Sequence, residues 1–149
     1  MKMFMPSIVN DAWKQVDNAI TAAVKFAKGL CTYEITVTTG DKRGAGTDAN
    51  VAITIYGVNG DSGKQELKAK FKNLFERGQS DSFEIECQNL GEIERIEIEH
   101  DGSGFGAGWY VERVVVTNQR SGKTYKFPCD QWLDPKKGDC KTKRELFPV

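Results

Sequence analysis

The sequence predicts an antiparallel β-sandwich preceded by one amphipathic helix, and three observations predict it. From Cys31 onward apolar and polar residues alternate, which is the period of half-buried strands. Clusters of Gly, Asn, Asp and Ser interrupt the alternation at short intervals, as turns do. No 3.6-residue period returns between those turns, so strand follows strand without crossover helices.

Pro6 and then Ser7, a good N-cap, open a helix expected to run to about Lys28, with Gly29 as its stop. Val9, Trp13, Val16, Ile20, Val24 and Ala27 recur at spacings of three and four and form one apolar stripe. Asp11 lies near the positive end of the helix dipole, and Lys25 and Lys28 near its negative end. The polar face is of mixed sign, which favours packing on the domain or on a second copy over lying on a membrane. The change of period near Gly29-Leu30 divides the chain into a helical appendage, 1–29, and a sandwich domain, 30–149.

The first strand pair brackets a glycine-rich loop. Tyr33, Ile35 and Val37 alternate before it, and Val51, Ile53 and Ile55 after it. Between them Gly40, Gly44 and Gly46 give the backbone freedom, while Asp41, Thr47, Asp48 and Asn50 supply oxygens, a start for a calcium-binding loop. The turn formers of 58–63 come next, then 64–71, a short strand or an irregular edge. Phe83, Ile85 and Cys87 line one face of a strand over 82–87. Over 92–100 Ile96 and Ile98 point inward, the glutamates mostly outward, and the out-of-register Ile93 predicts a bulge. Strands over 109–118, with Val111, Val114 and Val116, and over 123–129 flank a turn at 118–122. In the tail Trp132, Leu133, Leu146 and Phe147 are the expected anchors.

At 149 residues, 39% hydrophobic and 28% charged, the chain suits one soluble domain with a real core. Its 21 basic and 21 acidic residues cancel, which argues against a nucleic-acid binder dependent on an overall positive field. No apolar run approaches the roughly 20 residues of a membrane-spanning helix, and Asp11, Lys14 and Asp17 interrupt any signal-peptide core. The expected location is the cytoplasm, with peripheral membrane attachment as the variant. Cys31, Cys87, Cys129 and Cys140 lack C-x-x-C spacing and read as free thiols, two of them in strands. A Cys129–Cys140 disulfide is the alternative if the protein is secreted.

Catalytic and nucleotide signatures fail on context. Gly44-Ala-Gly-Thr-Asp-Ala49 matches a dinucleotide fingerprint but leads into a strand, where the mechanism requires a helix N-terminus. Gly122-Lys-Thr124 has the end of a P-loop without its first glycine. His100, the single histidine, reads as a capped strand-end residue, and no serine or cysteine sits in a nucleophile-elbow context.

The span from about Thr32 to Pro148 resembles the PLAT domain, also called the LH2 or lipoxygenase-homology domain. The resemblance rests on Tyr33-Glu-Ile-Thr-Val-Thr-Thr-Gly40, Ala45-Gly-Thr-Asp48, Phe75-Glu-Arg-Gly78 with Asp81-Ser-Phe83, and Leu90-Gly-Glu-Ile93. It continues through Gly108-Trp-Tyr110 and Phe127-Pro-Cys129 with Trp132. Gly102-Ser-Gly-Phe-Gly-Ala-Gly-Trp109 and Arg144-Glu-Leu-Phe-Pro148 look most like the repeats of tandem lipoxygenase-homology-domain proteins.

That resemblance implies an eight-stranded sandwich and a non-catalytic module that attaches to membranes or partner proteins, often with Ca²⁺ at one end. It places calcium ligation at Ala45, Gly46, Thr47 and Asp48, and at Asn73 and Glu76 in a second loop. Leu74 and Ala107-Gly108 stand where calcium-binding relatives often carry acids, which implies low affinity, with Asp41 or Asp101 as compensating acids. Phe105 and Phe75 are the implied membrane contacts, while Trp109, Trp132 and Phe127 are structural first. The implied partner is an anionic membrane surface or a protein, with a homodimer through the N-terminal helix as a further option.

Overall fold

The computed structural model describes residues 16, 19–21, 23, 24, 29–70 and 72–149. Nine strands follow in order: β1 (Leu30–Thr39), β2 (Val51–Gly57), β3 (Gly60–Asp61), β4 (Gln65–Glu66), β5 (Ser80–Gln88), β6 (Ile93–His100), β7 (Trp109–Asn118), β8 (Thr124–Leu133) and β9 (Lys143–Leu146). Every pairing is antiparallel. One sheet has the order β5-β1-β7-β8, and the other β3-β2-β6-β9 with β4 also on β2. The result is the expected sandwich, with two-residue ribbons at β3 and β4 bringing the count to nine.

Alternation decides what each strand buries. On β1, Cys31, Tyr33, Ile35 and Val37 are buried, and from the facing sheet come Val51, Ile53, Ile55, Ile96 and Ile98. Trp109, Tyr33 and Phe127 are the largest fully enclosed side chains. Each large apolar side chain removed from water contributes about 1.5–3 kcal/mol. Strand β2 departs from simple alternation, because Ala52 and Thr54 on its outer face are buried too. They are short residues opposite Glu99 and Glu97, whose carboxylates pair with Lys64 and Lys143 and shade the small side chains between them.

The bulge expected at Ile93 is present. Tyr56 faces Arg95 and Gly57 faces Ile93, which leaves Glu94 as the extra residue and turns Ile93 into the core. A second irregularity separates the pairs Val111–Gln131 and Arg113–Pro128. There Asp130 takes a left-handed φ of 49° and β8 runs on to Leu133, past the end expected at Cys129. Leu133 and Leu146 anchor the tail as expected, Trp132 is half-buried, and Phe147 is a correction, standing 59% exposed at the end of β9.

All four cysteines are free, with Cys31, Cys87 and Cys129 in strands and Cys140 exposed, so the Cys129–Cys140 disulfide does not form. His100 is buried and capped at both nitrogens. Its Nε2 lies 2.6 Å from the Leu133 carbonyl, and Nδ1 accepts from the Gly102 N–H, so Nε2 carries the ring proton. Most of the expected N-terminal helix, including Val9, Trp13 and Ala27, lies outside the described residues. Of its stripe, Val16, Ile20 and Val24 are helical and exposed.

Candidate functional site

The loops leaving β1, β4, β6 and β8 converge at one end of the sandwich, and backbone hydrogen bonds tie them together. Gly40 N–H donates to Tyr110 O, Gly78 N–H to Gly40 O, and Thr47 N–H to Phe75 O. At Gly46 a Cβ would lie 3.0 Å from the Phe75 carbonyl and 3.3 Å from Arg77 N. Only glycine lets the loop over 40–50 lie this close to the loop over 67–79.

Phe75 is the joint between those two loops. Its φ is 57°, an unusual left-handed value for a bulky residue. Asp81, itself buried, holds it there: Oδ2 accepts from Phe75 N–H at 2.9 Å and Oδ1 from Gln79 Nε2 at 2.6 Å. The ring stacks on Phe83 at 5.7 Å and meets Trp109 edge-on at 5.2 Å. Trp109 in turn donates Nε1–H to Thr39 Oγ1. Phe75 therefore corrects the sequence expectation of a membrane contact: it is 3% exposed and belongs to the core.

The six expected ligand positions fall into two groups. Asp48, Asn73 and Glu76 are exposed and line one cleft of about 320 Å³, together with Lys68 and Lys72. Asp48 and Glu76 also border a neighbouring recess that includes Gly46 and Phe105. The other group is engaged internally. Ala45 O accepts from Tyr110 N–H, and Thr47 Oγ1 donates to Ala107 O while accepting from Ala49 N–H. Thr47 thus orders the loop from within.

Neither compensating acid is disengaged. Asp41 receives Arg77 Nε at 2.8 Å. Asp101 accepts from the Ser103 hydroxyl and N–H, and from both Asn50 nitrogens. The Ser103 hydroxyl first, and then Asn50, hold its carboxyl well below the usual carboxylate range. It fastens the β6–β7 loop to the start of β2.

Among the described residues no group of three or more His, Cys, Asp and Glu is gathered for a metal ion. Ca²⁺ takes six to eight oxygens. The cleft offers two carboxylates, one amide and nearby backbone carbonyls, so its chemistry suits a hard cation held weakly.

Phe105 completes this end of the molecule. It stands 95% exposed between Gly104 and Gly106, whose φ values are 79° and 64°. A large apolar ring at the tip of a loop has nothing to gain in water. Two features of the site lay outside the sequence expectation. Asp81 sits inside a quoted motif, but its reach back to Phe75 depends on the turn between them. The lysines of 64–72, at 64, 68, 70 and 72, were a legible charge run, and only the fold puts Lys68 and Lys72 beside Asp48.

The site thus lies at one end of a two-sheet antiparallel sandwich, around an exposed aromatic tip. The family of the chain follows from comparison with known proteins. The PLAT/LH2 domain model matches residues 33–147, and the chain belongs to that family. It is 56% identical over 116 residues to human lipoxygenase homology domain-containing protein 1, covering 78% of this chain and 6% of that protein. Among solved structures, coral 8R-lipoxygenase, described as calcium-activated via a C2-like domain, superposes with a TM-score of 0.70 at 33% identity, covering 78% of this chain and 17% of that one. A calcium-dependent 11R-lipoxygenase superposes at 0.60 and 33% identity, with 79% and 17% covered. The chain therefore spans less than a fifth of each of these proteins.

Proposed function

We propose that this chain is a non-catalytic module that sets its loop end on an anionic membrane surface, with calcium held weakly by Asp48 and Glu76 and supported by Asn73. The observation that carries the proposal is the position of Phe105, fully exposed on a glycine-flanked tip beside the recess that Asp48 and Glu76 border. An aromatic ring suits the membrane interface, where its face can bury beside the headgroups. Lys68 and Lys72 at the cleft add attraction to anionic lipid. Bound calcium would offset the Asp48 and Glu76 charges and offer coordination to lipid phosphate. With two carboxylates, the expected Kd lies at about 10⁻⁴–10⁻³ M. Such a module would sit peripherally on the cytoplasmic face.

The test is co-sedimentation with phosphatidylserine-containing vesicles at about 1 mM calcium and with chelator, using wild type, Asp48→Ala and Phe105→Ala. Burying one phenyl ring contributes about 1.5–3 kcal/mol, so Phe105→Ala should weaken binding about tenfold or more. Asp48→Ala should remove the calcium dependence. Wild type that stays in the supernatant at every calcium concentration defeats the proposal.

A second reading has its own observation. Val16, Ile20 and Val24 present an apolar stripe at i, i+4 and i+8 that is 47%, 57% and 47% exposed. Calcium-independent self-association or protein docking through a segment 1–29 would cover it. Sedimentation analysis of the whole chain against one lacking residues 1–29 separates the two readings.

A further inference from the structure

The opposite end of the sandwich carries a feature that neither reading uses. Cys31 on β1 and Cys87 on β5 are directly opposed in the antiparallel register. Directly opposed residues project from the same face of a sheet, here the face that buries Tyr33, Ile35 and Ile85. The ladder on either side defines the type of pair. Asn89 N–H donates to Gly29 O and Thr39 N–H to Gln79 O, so the odd-numbered pairs of β1 and β5 are the hydrogen-bonded ones. Opposed Cα atoms in such pairs lie about 5.5 Å apart, inside the roughly 4.4–6.8 Å range that a disulfide spans. Both thiols are free.

We propose that Cys31 and Cys87 form a site of reversible oxidation, a cross-strand disulfide joining β1 to the edge strand β5. The two cysteines are unequal in a way that orders the chemistry. Cys87 is half-buried on a strand with an open side, and Cys31 is 2% exposed behind it. With a low-molecular-weight disulfide such as oxidised glutathione as the oxidant, Cys87 Sγ attacks one glutathione sulfur. A mixed disulfide forms and the first glutathione leaves as thiolate. Cys31 Sγ then attacks Cys87 Sγ, closing the Sγ–Sγ bond and expelling the second glutathione. Two protein thiols lose two electrons, one glutathione disulfide gains them, and the two protons pass to the released thiolates. Burial pushes the Cys87 thiol up to about 11, so thiolate is scarce at neutral pH and the first attack is slow. The exchange belongs to sustained oxidising conditions rather than to brief exposure.

The closed loop would run from 31 to 87 and enclose both loops of the candidate cleft. It would remove chain entropy from the unfolded state, offset in part by the strain of drawing together two Cβ atoms that a hydrogen-bonded pair holds at the wide end of the cross-strand range. The remaining thiols are separate from the pair: Cys129 lies on β8 at the far edge of the sheet, and Cys140 is exposed on the β8–β9 loop.

The test uses the full chain carrying Cys140→Ser, incubated for a day with oxidised glutathione and read by intact mass and peptide mapping without reductant. The expected product has lost two hydrogen atoms, carries no glutathione, and yields one cross-linked pair of peptides containing residues 31 and 87. Its Tm should rise by several degrees and return on treatment with dithiothreitol. Cys31→Ser, which keeps the entry thiol and removes its resolving partner, should instead accumulate a glutathione adduct at residue 87. Unmodified protein, or a stable adduct at Cys87 with Cys31 intact, overturns the proposal. Mapping the same product in Cys129→Ser distinguishes it from pairing with residue 129, which would overturn it equally.

Discussion

Asp81→Ala tests whether one buried carboxylate holds the candidate site together. The substitution removes the acceptor for Phe75 N–H at 2.9 Å and for Gln79 Nε2 at 2.6 Å, in a loop whose central residue is 3% exposed. A hydrogen bond to a charged group is worth about 1.5–3 kcal/mol net, and a buried donor left without a partner costs about 1–3 kcal/mol. Phe75 also sits at a φ of 57°, a strained conformation of order 1–3 kcal/mol that persists only while its surroundings impose it. These costs overlap, because relaxing the loop relieves the strain while withdrawing the Phe75 ring from Phe83 and Trp109. The expected loss is roughly 2–4 kcal/mol, a drop in Tm of roughly 5–15 °C for a domain of this size. Urea unfolding monitored by tryptophan fluorescence gives the energy, and calcium titration gives the effect on the cleft. Calcium affinity should fall as well, because Phe75 O is what receives Thr47 N–H from the facing loop. Asp81→Asn, which retains one oxygen for Phe75 N–H, should lose about half as much. A loss under about 1 kcal/mol in Asp81→Ala, with calcium affinity unchanged, would refute the role assigned to this residue.

Two further outcomes follow from the same geometry. Gly46→Ala places a Cβ 3.0 Å from the Phe75 carbonyl and 3.3 Å from Arg77 N, so the backbone of the facing loop must move. The expected cost is about 1–3 kcal/mol with weaker calcium binding, measured by thermal unfolding and titration calorimetry. Asp101 has its carboxyl held below the ordinary value of 3.8, first by the Ser103 hydroxyl and then by Asn50. A depressed folded value gives stability that is present above 3.8 and is lost as the pH falls through the lower folded value. The difference in Tm between wild type and Asp101→Asn should therefore stay constant from about pH 8 to about pH 5 and shrink below about pH 4. A difference unchanged through the acid range would contradict the assignment.

The sequence by itself determined the architecture and most of the core. Tyr33, Ile35 and Val37, or Phe83 and Ile85, announce a buried face because side chains on a strand alternate strictly between its two sides. Even the bulge was legible, since Ile93 broke that alternation. The loop residues Asp48, Asn73, Glu76 and Phe105 could be named from the family pattern, but their grouping at one end could not be read from spacing. Loops some 30 to 60 residues apart meet only because β1, β4 and β6 end on the same side of the sandwich. Strand β9 went unseen because Lys143-Arg-Glu-Leu146 holds one apolar residue in four, and its pairing to β6 comes from the partner strand. Phe75 was misread for a related reason. It follows Leu74 among otherwise polar neighbours with no strand alternation to mark a buried face, and its burial depends on Asp81 and on the space between Phe83 and Trp109. The opposition of Cys31 and Cys87 was likewise invisible in the chain. Alternation is a local property that each segment carries alone, whereas register and loop contact exist only between segments that the whole fold brings together.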